Sequence, residues 1–399
     1  MPRKTLTPLS SENAKRFRDV CRSADYSDTR LEETLGTKIP PPPHHEHFAQ
    51  IASQTESDAP FGALARLFFL GTPVACDQAN AVLPSSFLGS CIDCGLIDTD
   101  GAHFKSAALV VPVGDLLLAS DVHLNVSQDD GTYVPTISQP ALHLRSLAIR
   151  RPAGRMLDLC GGFALHGIMS SRFSDEVVTS DLNPRAMEYA DFNGALNGCD
   201  NIRSVTGSLF NPVQGERYDL ILSNPPFVVS FEREATFRDS PNELDGFVQQ
   251  MLTQVPGYLE EGGIFQSICE WVEFKGQDWQ ERLARWFQGS GCDVWVLTAN
   301  RQMPASYARG RLRETTSDEA ELTSRLASWE QSFQDRGVQY IHGGFIFLRR
   351  RHGANWFDVT QITRGITSPV GDAILRGFEG RDLIFHDDDD QSLPVSYTH

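Results

Sequence analysis

From about residue 126 the apolar positions gather into short continuous runs. These are "RMLDLC" (155–160), "EVVTSDL" (176–182), "YDLILSN" (218–224), "GGIFQSICEW" (262–271), "DVWVLTA" (293–299) and "YIHGGFIFLRRR" (340–351). Stretches of helical spacing separate most of them. Strand-like runs alternating with helices predict a parallel sheet covered by helices on both faces.

Before residue 126 the pattern differs. Residues 1–38 space their apolar positions as one or two short helices, and "IPPPPHHEHF" (39–48) breaks any helix. "FGALARLFFLG" (61–71) has helical periodicity and a glycine stop, and two further short helices are expected over 76–83 and 85–95. "AALVVPVGDLLLASDV" (107–122) then reads as strand, turn, strand. Short helices followed by a hairpin predict a winged-helix-like module, a common platform for dimers or substrates. The expected organisation is a helical N-terminal domain (1–125), an α/β domain (126–351) and an extension (352–399). The extension ends in "HDDDDQSLPVSYTH", where like charges favour a solvated tail.

Composition narrows the field. Across 399 residues the formal net charge is −17, so the overall field repels polyanions. No apolar run reaches membrane-spanning length, and the N-terminal stretch lacks the apolar centre of a signal peptide. Eight cysteines without a dense framework read as reduced thiols, which together predicts a cytoplasmic protein without membrane partners. No metal is expected. His44, His45 and His47 with Glu46 lie on an extended connector that does not converge on an ion. The Cys91/Cys94 pair has no second pair nearby.

Candidate chemistry sits at four strand ends. "MLDLCGGFALHG" (156–167) carries a strand through a glycine turn into a helix, directing backbone N–H groups toward a polar ligand. "VVTSDLNP" ends the next strand on Asp181, a position suited to ribose hydroxyls. Asp181 also suits the cap of a helix starting at Pro184. "VTGSLF" (205–210) brings Gly207, Ser208 and Leu209 to the same edge. Finally "SNPPF" stops an apolar strand at Asn224, Pro225, Pro226 and Phe227; two prolines cannot continue a ladder.

These four elements, in this order, resemble class I S-adenosylmethionine-dependent methyltransferases of the NPPY/F type. The nearest likeness is to glutamine N5-methyltransferases of the release-factor type and to ribosomal RNA guanine N2-methyltransferases. The N-terminal part, with "ARLFFLG", also resembles the uncharacterised domain that precedes this catalytic fold in some bacterial proteins. The likeness covers most of the chain and implies a Rossmann-like sheet. It implies S-adenosyl-L-methionine bound by Asp158, Cys160, Gly161, Gly162, Asp181, Leu182, Asn183, Gly207, Ser208, Leu209 and Asn224. Catalysis would fall to Asn224, Pro225, Pro226 and Phe227. In the family motif D-x-G-x-G-x-G, Cys160 and Ala164 here replace the first and third glycines, and Phe227 stands where tyrosine is commoner.

Such a site implies methyl transfer to a planar NH2 group. The Asn224 side-chain oxygen and the Pro225 carbonyl would accept its two N–H groups, and Phe227 would stack on the acceptor. A protein or peptide amide suits the acidic charge. Alternatives are an exocyclic amine of RNA or DNA, which arginines 145, 150, 151, 155, 309, 311 and 313 could serve, or a small-molecule amine. The N-terminal domain is expected to recognise the acceptor or mediate homodimerisation without touching the cofactor. The loop 232–247 is expected to close over the acceptor.

Overall fold

The computed structural model describes residues 5–43, 45–55, 59–123, 131–231, 238–240, 242–316, 318–363, 365–366 and 369–386. His44, the acidic tail from 387, the stretch around residue 126, and residues 232–237 and 241 of the expected closing loop lie outside them.

The N-terminal region holds α1 (Ser11–Ser23), α2 (Asp28–Leu35), α3 (Phe48–Ser53) and α4 (Pro60–Leu64). The run predicted as one helix over 61–71 changes to π geometry at Ala65–Phe69, where Leu67, Phe68 and Phe69 are all buried. Strand β1 (Val74–Ala75), α5 (Cys76–Val82) and α6 (Ser85–Asp93) follow, then β2 (Ile97–Thr99) and β3 (His103–Ser106). These three short strands make an antiparallel sheet in the order β1-β3-β2.

The hairpin of β4 (Ala108–Val113) and β5 (Leu116–Asp121) forms a two-stranded sheet of its own, buried along both strands. Ordinary two-stranded ribbons are marginal in water; this one is held from both sides. Tyr26 donates to the Val110 carbonyl at 2.7 Å from the N-terminal helices. From the other side, asparagines of the α/β region bond its backbone.

The α/β region begins with α7 (Gln139–Leu147), β6 (Ala153–Leu159), α8 (Leu165–Ser170), β7 (Ser174–Asp181) and α9 (Pro184–Asn197). It continues through β8 (Ile202–Thr206), β9 (Tyr218–Ser223), α10 (Gly246–Gln254) and β10 (Leu259–Phe274). Last come α11 (Trp279–Trp286), β11 (Cys292–Gln302), α12 (Pro304–Arg313), α13 (Glu319–Asp335), β12 (Val338–Arg350), β13 (Phe357–Gln361) and α14 (Gly371–His386).

Eight strands make one sheet in the order β13-β11-β12-β10-β9-β6-β7-β8, with β12 antiparallel to both neighbours and the other pairs parallel. The sheet therefore runs past residue 351, where sequence reading placed its end: β13 pairs with β11 and α14 packs beside α7. Two apolar layers sandwich it. Strand order reverses direction between β6 and β9, so the carboxyl ends of β6, β7, β8 and β9 enclose a crevice. Strand β10 aligns Ser267 with Ser223 and then runs seven residues further, carrying Glu270 beyond the crevice. No helix among the described residues is long and apolar enough to cross a membrane.

Candidate active site

At the end of β6 the chain turns sharply at Cys160-Gly161-Gly162. Cys160, Gly162 and Ala164 all adopt left-handed backbone, with φ of +56°, +55° and +66°. These are the three positions at which the resembled motif carries glycine, and two of them are filled here by residues that bear a Cβ. Gly161 lacks such freedom for another reason: a Cβ there would run into the Thr179 hydroxyl and the Asp158 carboxyl. Burial pushes the Cys160 thiol far above its ordinary range, so it packs as a neutral group.

The strand ends are stitched to one another. Gly161 donates its N–H to the Ser180 carbonyl at 3.0 Å, and Gly207 donates to the Asp181 carbonyl at 2.9 Å. The Asp181 carboxylate accepts the Gly162 N–H on one oxygen at 3.0 Å and the Asn183 N–H on the other at 2.9 Å. The helix cap is Asn183, whose side chain accepts from Arg185. Asp181 is thereby released from capping α9, and each of its oxygens keeps a second acceptor position. At β9, the Ser223 hydroxyl donates to the Leu159 carbonyl at 2.8 Å, which sets Asn224 beside the glycine turn.

These ends enclose a cavity of ≈ 450 Å³. Of the residues expected from sequence, Cys160, Gly161, Gly162, Asp181, Leu182, Asn183, Gly207, Ser208, Leu209, Asn224 and Pro226 line it. Asp158, Pro225 and Phe227 do not. Asp158 is wholly buried behind the turn, where it accepts the Gly167 N–H at 2.8 Å and burial raises its carboxyl to about 8. Phe227 sits in the apolar layer with Val228, Val229 and Phe247. The expected stacking surface is thus part of the core that supports the loop. Among the described residues no hydrogen bond engages the Asn224 side chain, although it lies on the cavity wall.

Sequence reading missed the opposite wall. Tyr133, Val134, Pro135, Thr136 and Ser138 line the cavity from an irregular segment before α7, and His166 lines it from α8. His166 is 3% exposed, its ring nitrogens have no protein partner, and burial lowers it to about 3, so it is neutral. Pro135 and Pro140 within "TYVPTISQP" mark a break in regular structure but not a cavity wall, and nothing in the helix pattern distinguished His166 from a core residue.

Behind the NPPF turn lies a charged network. The Val229 N–H donates to the Tyr307 hydroxyl at 2.9 Å, and Tyr307 in turn donates to buried Glu270. Arg311 donates to Glu270 at 2.6 Å and to Glu314 at 3.1 Å, while Arg155 bonds Glu176 and Glu216. Two of the arginines considered for nucleic-acid contact are thus already paired with carboxylates.

Residues 140–288 match the methyltransferase small domain, and residues 23–108 match a domain of unknown function, DUF7059. The chain is 30% identical over 156 residues to a ribosomal protein uL3 glutamine methyltransferase from Xanthomonas campestris pv. campestris, covering 31% of this chain and 50% of that one. It is 32% identical over 164 residues to a release factor glutamine methyltransferase from Yersinia pestis, covering 38% and 59%. The chain therefore spans about half to three-fifths of these relatives' length. The matched span contains the glycine turn, Asp181 and Asn224, so the segment that encloses the cavity is the one similar to the methyltransferase small domain, at residues 140–288.

Proposed function

We propose that this protein methylates a planar NH2 group, the side-chain amide of a glutamine in a protein or peptide. The observation that carries the reading is Asn224: a side-chain amide on the cavity wall, next to the glycine turn, with no hydrogen-bond partner among the described residues. The names of the relatives favour a protein amide as acceptor.

The residues present fit the cofactor. Asp181 offers two carboxylate acceptor positions for vicinal ribose hydroxyls, and Ser208 and Leu209 offer an edge for a flat base. Gly161 and Gly162, with neutral His166 and the otherwise unpartnered Thr136 hydroxyl, suit the amino-acid end. When bound, S-adenosylmethionine supplies a methyl group activated on a sulfonium. What remains for the protein is alignment.

Asn224 Oδ1 accepts an N–H group of the acceptor from the cavity wall, and the Pro225 carbonyl, which lies off that wall, would accept the second from an acceptor seated beside the cavity. This fixes the nitrogen and favours a shape in which its lone pair faces the cavity. The two prolines keep both acceptors rigid, and the Phe227 layer behind them supports the turn. No general base is required beside the nitrogen, since an N-protonated amide is strongly acidic and sheds its proton to water.

The test combines calorimetry with labelling. S-adenosylmethionine should bind the full chain, and Asp181→Ala should weaken binding by about 2 kcal/mol. Methyl label transferred to cell extract should be destroyed as a macromolecular signal by protease and not by nuclease, and acid hydrolysis should release methylamine. Label lost to nuclease would overturn the reading.

A further inference from the structure

Among the described residues, a carboxylate at the end of the N-terminal region's hairpin bonds the cavity wall. Asp121, the last residue of β5, is 3% exposed. Its Oδ2 accepts the Val134 N–H at 2.9 Å, and its own N–H donates to the Val134 carbonyl at 3.1 Å. Its Oδ1 accepts the Tyr189 hydroxyl at 2.8 Å and the Arg185 guanidinium at 2.6 Å. Both partners lie on α9, the helix that starts three residues after Asp181. Asn183, between them, donates to the Tyr133 carbonyl at 3.4 Å.

The pattern has a simple origin in sequence. Arg185, Tyr189, Asn193 and Asn197 recur every fourth residue, so they form one polar stripe along α9. That stripe faces the hairpin. Asn193 bonds both backbone groups of Ala119, at 2.7 and 2.9 Å, and Asn197 bonds both of Leu117, at 3.0 and 2.7 Å. Asparagine supplies the donor and acceptor that a strand backbone needs. Two contacts of the stripe extend to a third element: Asn193 also donates to the Phe163 carbonyl in the glycine turn at 3.0 Å, and Asp121, at the end of the stripe, ties in the Tyr133–Val134 wall.

That wall belongs to no helix or strand from 131 to 138, so its position depends on bonds made to its neighbours. We propose that Asp121 is a positioning residue for the cofactor cavity. It fixes the Tyr133–Val134 wall against α9, so that the N-terminal region, through the end of its hairpin, sets cofactor affinity without touching the cofactor. The proposal rests on the reading that this cavity takes S-adenosylmethionine.

The experiment compares two positions on the same seam in the full-length protein. Asp121→Asn loses the ion pair that orients the carboxyl toward Val134, whereas Asn197→Ala weakens the hairpin contact far from the wall. Calorimetry with S-adenosylmethionine should show affinity reduced about tenfold or more for Asp121→Asn. Asn197→Ala should lower the melting temperature and leave affinity within about twofold of wild type. Equal losses of affinity in both variants, or none in a folded Asp121→Asn, would overturn the proposal. Should Asp121→Asn not fold, Tyr189→Phe and amide exchange in the wild type decide. Affinity lowered about threefold or more with a protected Val134 amide supports the proposal. Unchanged affinity in Tyr189→Phe, or a Val134 amide exchanging as freely as an exposed loop, overturns it. Failure of the wild type itself to bind S-adenosylmethionine would instead overturn the functional reading.

Discussion

The Tyr307 hydroxyl accepts the amide hydrogen of Val229, two residues beyond the NPPF turn, and passes its own hydrogen to Glu270. A helix inserted after β11 thereby holds the backbone that leaves the NPPF turn. All three groups are buried, so removing the hydroxyl strands two of them. Tyr307→Phe should cost about 2 kcal/mol of stability, because an unsatisfied buried N–H and a carboxylate with fewer partners each carry a penalty. Turnover should fall further than stability explains, while cofactor affinity stays near wild type. Denaturant unfolding, calorimetry and single-turnover rates on the one variant separate these effects, and an unchanged rate would show that the network serves the core alone.

Asn224 and Phe227 differ in their surroundings, and their variants should differ likewise. Asn224→Ala removes a group on the cavity wall that no described protein group engages. It should fold normally, bind cofactor and lose two or more orders of magnitude in turnover, on the order of 3 kcal/mol. Phe227→Ala empties a site in the apolar layer and should destabilise by roughly 3–5 kcal/mol. Thermal melting sorts the two. If Asn224→Ala loses stability and rate together, its amide caps the turn and does not grip an acceptor.

The sheet was legible because parallel strands buried on both faces announce themselves as apolar runs, and all six runs are strands of it. Strand β8 was harder to see, for it is an edge strand with exposed positions, and β13 lay in a stretch read as an extension. The glycine turn, Asp181 and Asn224 could be recognised from local sequence because each sits at a strand end that its own run defines. The wall at 133–138 could not, since irregular backbone has no period and its placement depends on a carboxylate twelve or more residues away. His166 was invisible for the opposite reason: its helical neighbours are all buried, so periodicity marks the whole segment as core.

Stability should depend on pH through His166. The unfolded chain protonates it near pH 6.5, whereas burial holds the native ring neutral down to about pH 3. Between those limits the unfolded state binds the extra proton, so native stability falls as the pH is lowered. Asp158 acts in the other direction. Its native carboxyl, raised to about 8, stays protonated while the unfolded one ionises near pH 3.8, and its contribution is lost as pH rises through 8. The two slopes oppose each other between about pH 4 and 6.5. His166→Gln removes one of them. The stability of wild type relative to His166→Gln should therefore drop by about 1.4 kcal/mol per pH unit between pH 6 and 4, measured by urea unfolding. A difference independent of pH would mean that the native ring is protonated.

Cys160 bears a Cβ where the backbone turns left-handed, and it does so on the wall of the cavity. A side chain in that conformation costs roughly 1–2 kcal/mol relative to the right-handed region. Glycine would relieve the strain and lose about 0.5–1 kcal/mol of it again to the greater freedom of the unfolded chain. Cys160→Gly should consequently be neutral or stabilising by up to about 1 kcal/mol. Cys160→Val should be clearly destabilising, because two substituents on Cβ crowd the neighbouring carbonyl. The thiol is held neutral and methyl transfer to an amide nitrogen needs no nucleophile, so Cys160→Gly should also retain turnover. Melting temperatures of the three proteins, with single-turnover rates for wild type and Cys160→Gly, check both halves. A Cys160→Gly protein that is stable but inactive would give the thiol a role in transfer that its neutrality argues against.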